Sequence, residues 1–340
     1  MKAARLLVRA LRDPDSVGDC DWSALLTAAR AEKLLGSLAF RLGGKPVPAK
    51  VEAILEAARR DAAQARTQAL WESEMCRRAT AHLGVPVVLL KGAAFHAAGL
   101  EASVGRSVGD LDILVPRAAI ETVEQALIAV GWERLKEDGG YDDLYYRRWM
   151  HELPPLIHRE RDRMIDVHHT ILPLTHRSKP LPGDLIGKSK RLDSGLRILS
   201  PEHIVMHAAA HLIADGDLEG GLRNLWDIDR LCREFSGRQS DFFLSLAEEA
   251  SAHGLYDQTM RALRLCHSLY ATPLVEYTEP SKVSFRARWS DRLFLRRLFA
   301  RDGWGRTARP ATRFAFYIRS HWLRMPPLML ARHLWVKARS

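Results

Sequence analysis

The spacing of apolar residues changes along the chain and separates helical parts from a part that contains strands. Residues 1–82 have the period of amphipathic helices, and Val51 to about His82 is rich in Ala, Arg and Glu, which predicts one long helix. Residues 83–172 instead contain short apolar runs bounded by turns. Strands mixed with helices predict an α+β (mixed α/β) fold with a small mixed sheet, flanked by N- and C-terminal helical regions.

The strand-bearing part contains several predicted elements. Its apolar runs and alternating segments have the lengths of strands and short helices in a mixed fold. Gly or Pro turns separate them. The predicted strands are Pro86–Leu90, Asp110–Val115, Tyr141–Met150, Leu156–His158 and Arg163–His169, and the predicted helices start at Lys91 and cover Ala118–Val130.

Downstream, a segment rich in Lys, Pro and Gly from Pro173 to Leu196 is predicted to be a loop. Ser200 followed by Pro201 is typical of a capped helix start, and this helix continues through His207 and His211. Further helices are expected to about Thr272. The predicted domains are an N-terminal helical region (1–82), an α/β core (83–172), a helical acceptor-side domain (173–275) and a basic, Trp- and Arg-rich helical tail (276–340).

The most informative residues are two aspartates at the start of an apolar strand, Asp110 and Asp112. Side chains of a strand alternate between faces, so these carboxylates point the same way, about 6–7 Å apart, and repel each other. A pair of Mg²⁺ ions roughly 3.5–4 Å apart fits that spacing and is typical of enzymes that transfer phosphoryl or nucleotidyl groups. The alternative is an Asp-rich turn before a buried strand.

Two cationic positions lie near these carboxylates in sequence. Lys91-Gly92 ends a predicted strand and begins a helix, where backbone N–H groups and the lysine can face an anion. Arg106 precedes the carboxylates and could bind a phosphate oxygen in a fork geometry. The alternative for Lys91-Gly92 is an ordinary strand-to-helix turn, and the chain has no Walker-type GxxxxGK[ST] motif.

A later strand offers a third carboxylate. Asp166 and His168 share one face of this predicted strand, so Asp166 could complete a metal site or accept the proton of an attacking hydroxyl. The alternative for Asp166 is a solvated strand face. His168 and His169 are interpreted as packing or hydrogen-bonding residues, since Mg²⁺ prefers oxygen ligands.

In this order, the three motifs resemble the bacterial uncharacterised nucleotidyltransferase family of the DNA polymerase β-like nucleotidyltransferase superfamily. That family combines a Lys-Gly strand end, an Arg-x-x-x-Asp-x-Asp-hydrophobic strand and a later Asp-x-His strand. Better-known members of the superfamily have Gly-Ser at the turn, where this chain has Lys91-Gly92-Ala93. The matching residues are Lys91, Gly92, Arg106, Asp110, Asp112, Asp166 and His168.

The resemblance implies a Mg²⁺-dependent nucleotidyltransferase (EC 2.7.7-type) that moves a nucleoside monophosphate from an NTP to an acceptor hydroxyl or phosphate and releases pyrophosphate. Two Mg²⁺ ions would bind Asp110, Asp112 and Asp166, which are also the catalytic residues. The triphosphate would lie against Lys91, Gly92 and Arg106. The acceptor, whether small molecule, sugar, peptide, protein or RNA, is not named by the sequence, and neither are the NTP and the oligomeric state. Residues expected on the acceptor side are His168, His207 and His211.

Two other functions stay open from the sequence. The first is a non-catalytic nucleotide-binding or interaction protein on the same scaffold. The second is a transition-metal hydrolase, because His207, His211 and Asp215 are spaced i, i+4, i+8 and lie close to one helix face. The alternative for this helix is that its histidines pack against the core and donate hydrogen bonds.

Charge is concentrated at the C-terminal end. Residues 286–340 contain 14 Lys and Arg and two acids, so this segment accounts for more than the whole net charge of +10. With four tryptophans among the arginines, the segment is predicted either to cover the core with Arg-rich helices or to contact a membrane surface or nucleic acid. Four widely spaced cysteines and no long apolar run predict a cytoplasmic protein, either free or peripheral to the inner membrane face.

Overall fold

The computed structural model of the chain describes residues 2–135, 146–274 and 285–324, and it has an α+β fold. Helices precede and follow a mixed sheet in sequence, as the apolar periods predicted. The helices before and within the sheet region are α1 (Lys2–Arg12), α2 (Trp22–Ala31), α3 (Leu35–Arg41), α4 (Ala49–Thr80), α5 (Lys91–Ala97), α6 (Ile120–Ala129) and α7 (Pro182–Gly187). The later helices are α8 (Pro201–Ala209), α9 (Gly221–Arg238), α10 (Phe242–Ala252), α11 (Tyr256–Tyr270), α12 (Phe285–Leu298) and α13 (Pro310–Arg324).

The sheet has seven strands in the described part of the chain, in the order β3-β4-β5-β2-β1-β7-β6. The β2–β5 and β1–β7 pairs are parallel, and the other four pairs are antiparallel. The two central strands, β2 and β5, are the longest with five residues each. The strands are β1 (Val88–Leu89), β2 (Asp110–Leu114), β3 (Trp132–Arg134), β4 (Leu156–His158), β5 (Met164–His168), β6 (Lys190–Arg191) and β7 (Arg197–Ile198).

Several elements form where local chemistry predicted them. The long helix α4 buries small residues such as Ala58 and Ala62 on one side, and the predicted helix start at Ser200 is confirmed because its side chain accepts a hydrogen bond from the His203 backbone N–H. Pro201 occupies the first position of α8. This helix continues into a π-helical segment, Ala210–Asp215, of the kind often found at functional sites.

Two sequence predictions differ from the structure. Residues 146–149 form a helical turn rather than the predicted strand, and residues 141–145 lie outside the described residues. The predicted loop from Pro173 to Leu196 contains the short helix α7 and strand β6. Both elements are too short to show a period, and β6 is fixed by its hairpin partner β7 rather than by its own apolar residues.

One continuous cluster of buried apolar residues joins the N-terminal helices, the sheet and the later helices. A close backbone contact adds to this: Gly36 in α3 lies against Gly105, which has a positive φ of 72°, in the loop before β2. A Cβ on Gly36 would overlap the carbonyl oxygen of Gly105. Helix α3 therefore supports the loop that leads to Asp110 and Asp112.

In the described residues, no helix has the length and apolar composition needed to cross a bilayer. The four-domain division given by the sequence stays a prediction.

Candidate functional site

The register of the two central strands brings acidic residues from distant parts of the sequence together. In the parallel β2–β5 pair, Asp112 lies directly opposite Asp166, and Leu114 lies opposite His168. Because side chains alternate along a strand, Asp110 and Asp112 share a face of the sheet with Asp166 and His168. Asp112, Asp166 and His168 can each offer a ligand atom within 4.8 Å of the others.

Asp112 is the centre of this group, and its carboxylate is buried. Its Oδ1 accepts a hydrogen bond from Lys91 Nζ at 2.6 Å and lies 3.1 Å from His168 Nε2. Lys91 reaches this position because the Leu90 backbone N–H donates to the Asp112 carbonyl oxygen at 2.9 Å, which fixes β1 beside β2. Lys91 itself has a left-handed backbone with φ 47°, an uncommon conformation for a residue with a side chain.

The charges in this group lower the pKa of Asp112 and raise the pKa values of Lys91 and His168. Burial raises the pKa of Asp112, but the Lys91 charge and the His168 hydrogen bond outweigh burial and hold it below its usual value. Burial lowers the pKa of Lys91, yet Asp112 raises it overall. For His168, burial is likewise outweighed by Asp112 and Glu152, so its pKa is raised.

For Asp166, the charge of His168 lowers the pKa but is outweighed. Burial, with the nearby charges of Glu152 and Asp112, raises the pKa of Asp166 to about 7. Its Oδ1 is buried and has no hydrogen-bond partner. An unpartnered buried carboxylate oxygen is costly, so this atom marks the place where a cation or a proton is needed.

Asp110 is exposed at the first position of β2 and lies at the edge of the group. It lines the same cleft as Asp112, and its charge adds to the forces that raise the pKa of Asp166. The structure therefore places all three predicted acidic residues on one side of the sheet, with Asp112 and Asp166 adjacent and Asp110 closer to solvent.

Arg106 is buried beside the Lys91-Gly92 turn. Its Nε donates to Asp227 Oδ2 at 2.9 Å, and its guanidinium lies 5.1 Å from the centre of the Phe95 ring. A Cβ on Gly92 would overlap the guanidinium, so only glycine leaves room for Arg106 at this turn. Arg106, predicted to bind the triphosphate with Lys91 and Gly92, thus packs over Gly92 and is already paired with the Asp227 carboxylate.

A cleft of about 720 Å³ opens in front of these residues, within the range of small-molecule sites. His207 and His211, predicted on the acceptor side, line its wall, and His207 is buried. Burial, with the charges of Lys91 and His211, holds the pKa of His207 well below its usual value, so this imidazole is neutral. The other lining residues are Lys33, Leu89, Leu90, Lys91, Gly92, Ala94, Phe95, Arg106, Ser107, Val108, Gly109, Asp110, Asp112, Met164, Leu199, Ile204, Ala208, Arg223, Asn224 and Asp227.

Three charged residues of this region were not predicted from the sequence to have a role in the site. Glu152 lies with its Oε2 3.3 Å from His168 Nδ1, and Asp227 and Arg223 reach the cleft from the first two turns of α9. The i, i+4 spacing of Arg223 and Asp227 shows that they share a helix face. That spacing is the only signal in the sequence, and it does not identify Arg106 as the partner of Asp227.

The His207 and His211 pair forms no group of three metal ligands within the described side chains, and the side chain of Asp215 lies outside them. A different group contains Asp184, His203, Glu249 and His253. There His253 Nδ1 accepts a hydrogen bond from the Leu181 backbone N–H, so its proton is on Nε2, which donates to Asp184. Lys188 binds both carboxylates, so this second group is a hydrogen-bonded ion network.

The match to a known family covers this whole site. The model of the uncharacterised nucleotidyltransferase family matches residues 18–271. The chain belongs to that family. The matched range includes every element from α2 to α11 and therefore the acidic group, Lys91 and the cleft.

No curated protein matches the sequence. Among solved structures, the chain is similar to an antigenic nucleotidyltransferase-like protein from Paracoccidioides brasiliensis, at 11% identity and a TM-score of 0.32, over 61% of this chain and 97% of that one.

A divalent cation fits the acidic group by its donor chemistry. Both contacts to Asp112 use Oδ1, and the Oδ1 of Asp166 is buried without a partner. Hard divalent cations such as Mg²⁺ prefer carboxylate oxygens, which Asp112, Asp166 and the more exposed Asp110 supply. These residues could therefore hold a metal ion beside the cleft that Asp110 and Asp112 line.

Proposed function

We propose that this chain is a Mg²⁺-dependent nucleotidyltransferase, which transfers a nucleoside monophosphate from an NTP to an acceptor hydroxyl or phosphate and releases pyrophosphate. The observation that carries the proposal is the β2–β5 register, which places Asp112, a residue that lines the cleft, beside Asp166 and its unpartnered buried oxygen. Membership of a nucleotidyltransferase family supports it.

The acidic residues define the reactive end of the cleft. Asp112 and Asp166, with Asp110 at the edge, would hold Mg²⁺, two ions in the fully loaded site. When bound, Mg²⁺ supplies charge neutralisation on the phosphates and a lower pKa for the acceptor hydroxyl. The buried Asp112 carboxylate holds Lys91 and His168 in place through its Oδ1.

Asp166 would accept the acceptor's proton. Before any cation binds, burial raises the pKa of Asp166 to about 7, and its Oδ1 is unpartnered. In the transfer, the acceptor oxygen bonds to the α-phosphorus, the bond to the β-phosphate oxygen breaks, and the proton moves to Asp166. Pyrophosphate leaves with the electron pair of the broken bond.

The cationic side of the cleft would bind the nucleotide. Lys91 and the Gly92 backbone follow β1 and line the cleft together with Asp112, so a triphosphate in the cleft would lie against all three. His207 and His211 line the remaining wall and are the residues we assign to the acceptor side. The buried, neutral His207 can contact an uncharged acceptor group such as a hydroxyl.

A non-catalytic nucleotide-binding protein is the second candidate, because Lys91 already neutralises Asp112 across a 2.6 Å contact. A lysine in that place can stabilise the fold without a metal ion. The cytoplasmic location, and contact of residues 286–340 with a membrane surface or nucleic acid, stay predictions.

The test is pyrophosphate release from each of the four NTPs with Mg²⁺, in the presence of fractionated cell extract as a source of acceptors. We expect Asp112→Asn and Asp166→Asn each to lower release at least about 100-fold, because each removes charge from the metal site. Asp162→Asn, an exposed residue two positions before β5, is the matched control and should keep full activity.

Binding of Mn²⁺, measured by electron paramagnetic resonance, separates the two candidates without any acceptor. The nucleotidyltransferase should bind Mn²⁺ and lose this binding in Asp166→Asn. A wild-type protein that binds NTP but neither binds Mn²⁺ nor releases pyrophosphate with any fraction would be the non-catalytic relative.

A further inference from the structure

Arg223 is a cation of the cleft that nothing in the sequence patterns singled out. It lies in the first turn of α9 and lines the same cleft as Lys91 and Asp110. Its Nη2 donates to the backbone carbonyl oxygen of Ser107 at 3.2 Å, and its Nε is buried without a hydrogen-bond partner. A buried guanidinium nitrogen with no acceptor is unfavourable unless a ligand supplies one.

The other cations of the cleft are committed or exposed. Lys91 is paired with Asp112 at 2.6 Å, and Arg106 is paired with Asp227 at 2.9 Å. Lys33 is exposed at the rim, where water weakens its attraction for an anion. Within the described part of the chain, Arg223 forms no salt bridge, so its charge is available to a ligand.

The nearby carboxylates do not fully offset the effects of burial and of Arg106 on the charge of Arg223. Burial and the nearby Arg106 charge lower the pKa of Arg223 to about 10, although Asp227 and Asp110 act in the opposite direction. At neutral pH the guanidinium remains charged, and an anionic ligand would relieve the repulsion between the two arginines.

We propose that Arg223 binds the terminal phosphates of the nucleotide, whereas the sequence motifs indicated Arg106, with Lys91 and Gly92, for the triphosphate. This inference rests on the proposed function. Guanidinium groups bind phosphate oxygens with two parallel hydrogen bonds, and Arg223 offers its unpartnered Nε toward such an acceptor. Arg106 is then a positioning residue: it fills the space over Gly92 and fixes Asp227 on the same face of α9 as Arg223.

Arg106 and Arg223 also differ in how they would respond to the ligand. Arg106 has its carboxylate partner and its aromatic ring in place already. Arg223 is held by the carbonyl oxygen of Ser107, which lies between Arg106 and the acidic strand β2 in sequence. Arg223 therefore links the loop before the carboxylates to α9, and a bound triphosphate would be shared between these two elements.

The experiment measures binding of inorganic tripolyphosphate and of the four NTPs, each with Mg²⁺, by isothermal titration calorimetry. We expect Arg223→Gln to weaken both at least about tenfold while leaving NMP binding unchanged, because only the terminal phosphates lose their contact. Arg223→Lys should restore part of the affinity, since it keeps the charge without the fork geometry.

Arg238→Gln is the matched control, since Arg238 lies on the same helix, is exposed and pairs with Glu234 away from the cleft. It removes the same charge and should bind tripolyphosphate and NTP as the wild type does. Thermal denaturation of each variant shows whether it is folded, and Arg223→Lys supplies the test if Arg223→Gln is not.

The outcomes separate this inference from the proposed function. If the wild type binds NTP and Arg223→Gln binds it equally well, the role of Arg223 is wrong and the proposed function stands. If the wild type binds tripolyphosphate through Arg223 but no NTP, the anion site is supported and the nucleotide is not its ligand. If the wild type binds neither, both proposals are overturned.

Discussion

Lys91 combines an unfavourable backbone conformation with a central position in the site. Its left-handed φ of 47° costs free energy for any residue with a Cβ, and its Nζ recovers stability through the buried contact with Asp112. Strain of this kind is found where surrounding structure fixes a residue for function. The geometry of Lys91 thus supports a site that is preorganised before any ligand binds.

Gly92 provides a direct test of how the turn and Arg106 depend on each other. A Cβ at Gly92 would overlap a guanidinium that Asp227 and the Phe95 ring hold in place. We expect Gly92→Ala to lower the free energy of unfolding by about 1–3 kcal/mol, as overpacking of a well-filled site does. Chemical denaturation measures this value.

Gly109→Ala is the control for that change. Gly109 lines the same cleft, but a Cβ there would meet no atom within 4 Å. If the two alanine variants are equally stable, Arg106 moves freely and the close packing at Gly92 has no energetic role.

The residues of the acidic group were predictable, and their partners were not. Asp110, Asp112 and Asp166 were found because alternation along a strand and the chemistry of carboxylates are local properties. The partner of Arg106 is Asp227, 121 residues later in the sequence. Such a pair depends on how α9 packs against the sheet region, which no local pattern contains.

At the scale of elements, the buried carboxylate of Glu124 connects helix α6 to strand β3 and to the helical turn at residues 146–149 through hydrogen bonds. Arg134 of β3 donates to Glu124 at 2.9 Å, and Arg147 donates to both of its oxygens at 2.8 and 3.0 Å. Burial raises the pKa of Glu124, but these two arginines outweigh it and lower the pKa overall.

The shift of Glu124 predicts a pH dependence of stability. A carboxylate whose folded pKa is depressed stabilises the fold above its unfolded pKa of about 4.3, and that contribution is lost as pH falls through the folded pKa. We expect Glu124→Gln to be less stable than the wild type by about 1.5–3 kcal/mol at pH 7. The difference should shrink below about pH 4.3 in urea denaturation series.

Glu121→Gln, an exposed residue of the same helix, should show no such pH-dependent difference. A Glu124→Gln difference that stays constant from pH 7 down to the acid transition would show that the two arginines do not bind a charged Glu124.

The longer elements that the sequence predicted have strong periods or clear caps, whereas β1 and β4 were predicted from short apolar runs between turns. Helices α4 and α6 and strand β2 have enough residues for their apolar spacing to identify them. Strands β6 and β7 have two residues each and form only because they pair with each other and with β1. The π-helical turn after α8 is likewise a product of packing, since His211 and its neighbours have no sequence signal for it.

At the scale of the whole molecule, the described part of the basic tail is bound to the rest of the fold. Arg301 pairs with the buried Glu32, Arg297 pairs with Asp217 at 3.3 Å, and Asp291 binds two arginines of α11. These contacts favour the interpretation that the tail helices cover the core. Exposed aromatic residues remain on the tail, namely Trp289, Trp304, Phe314 and Trp322.

Substitution of Arg301 tests whether the tail stabilises the rest of the fold. Arg301 lies outside residues 18–271, which match the family. Without Arg301, the buried Glu32 loses its ion-pair partner, and we expect Arg301→Gln to cost about 3–5 kcal/mol of unfolding free energy at pH 7. Burial already raises the pKa of Glu32, so protonation at lower pH should recover part of that loss.

Arg306→Gln, which changes an exposed residue of the same tail, should leave stability within about 0.5 kcal/mol of the wild type. Equal stability of the two glutamine variants would mean that the Arg301 contact adds nothing and that the charge of the tail is available to a partner.

We propose that Asp112 and Asp166 hold a divalent cation beside the cleft, with Asp110 at the edge of this site. The most direct measurement is an anomalous difference map from crystals soaked with Mn²⁺ and a non-hydrolysable NTP analogue. We expect manganese between Asp112 and Asp166 and a triphosphate in the cleft. Density for the analogue without manganese there, with Lys91 still on Asp112, or manganese only at Asp184 and Glu249, would contradict it.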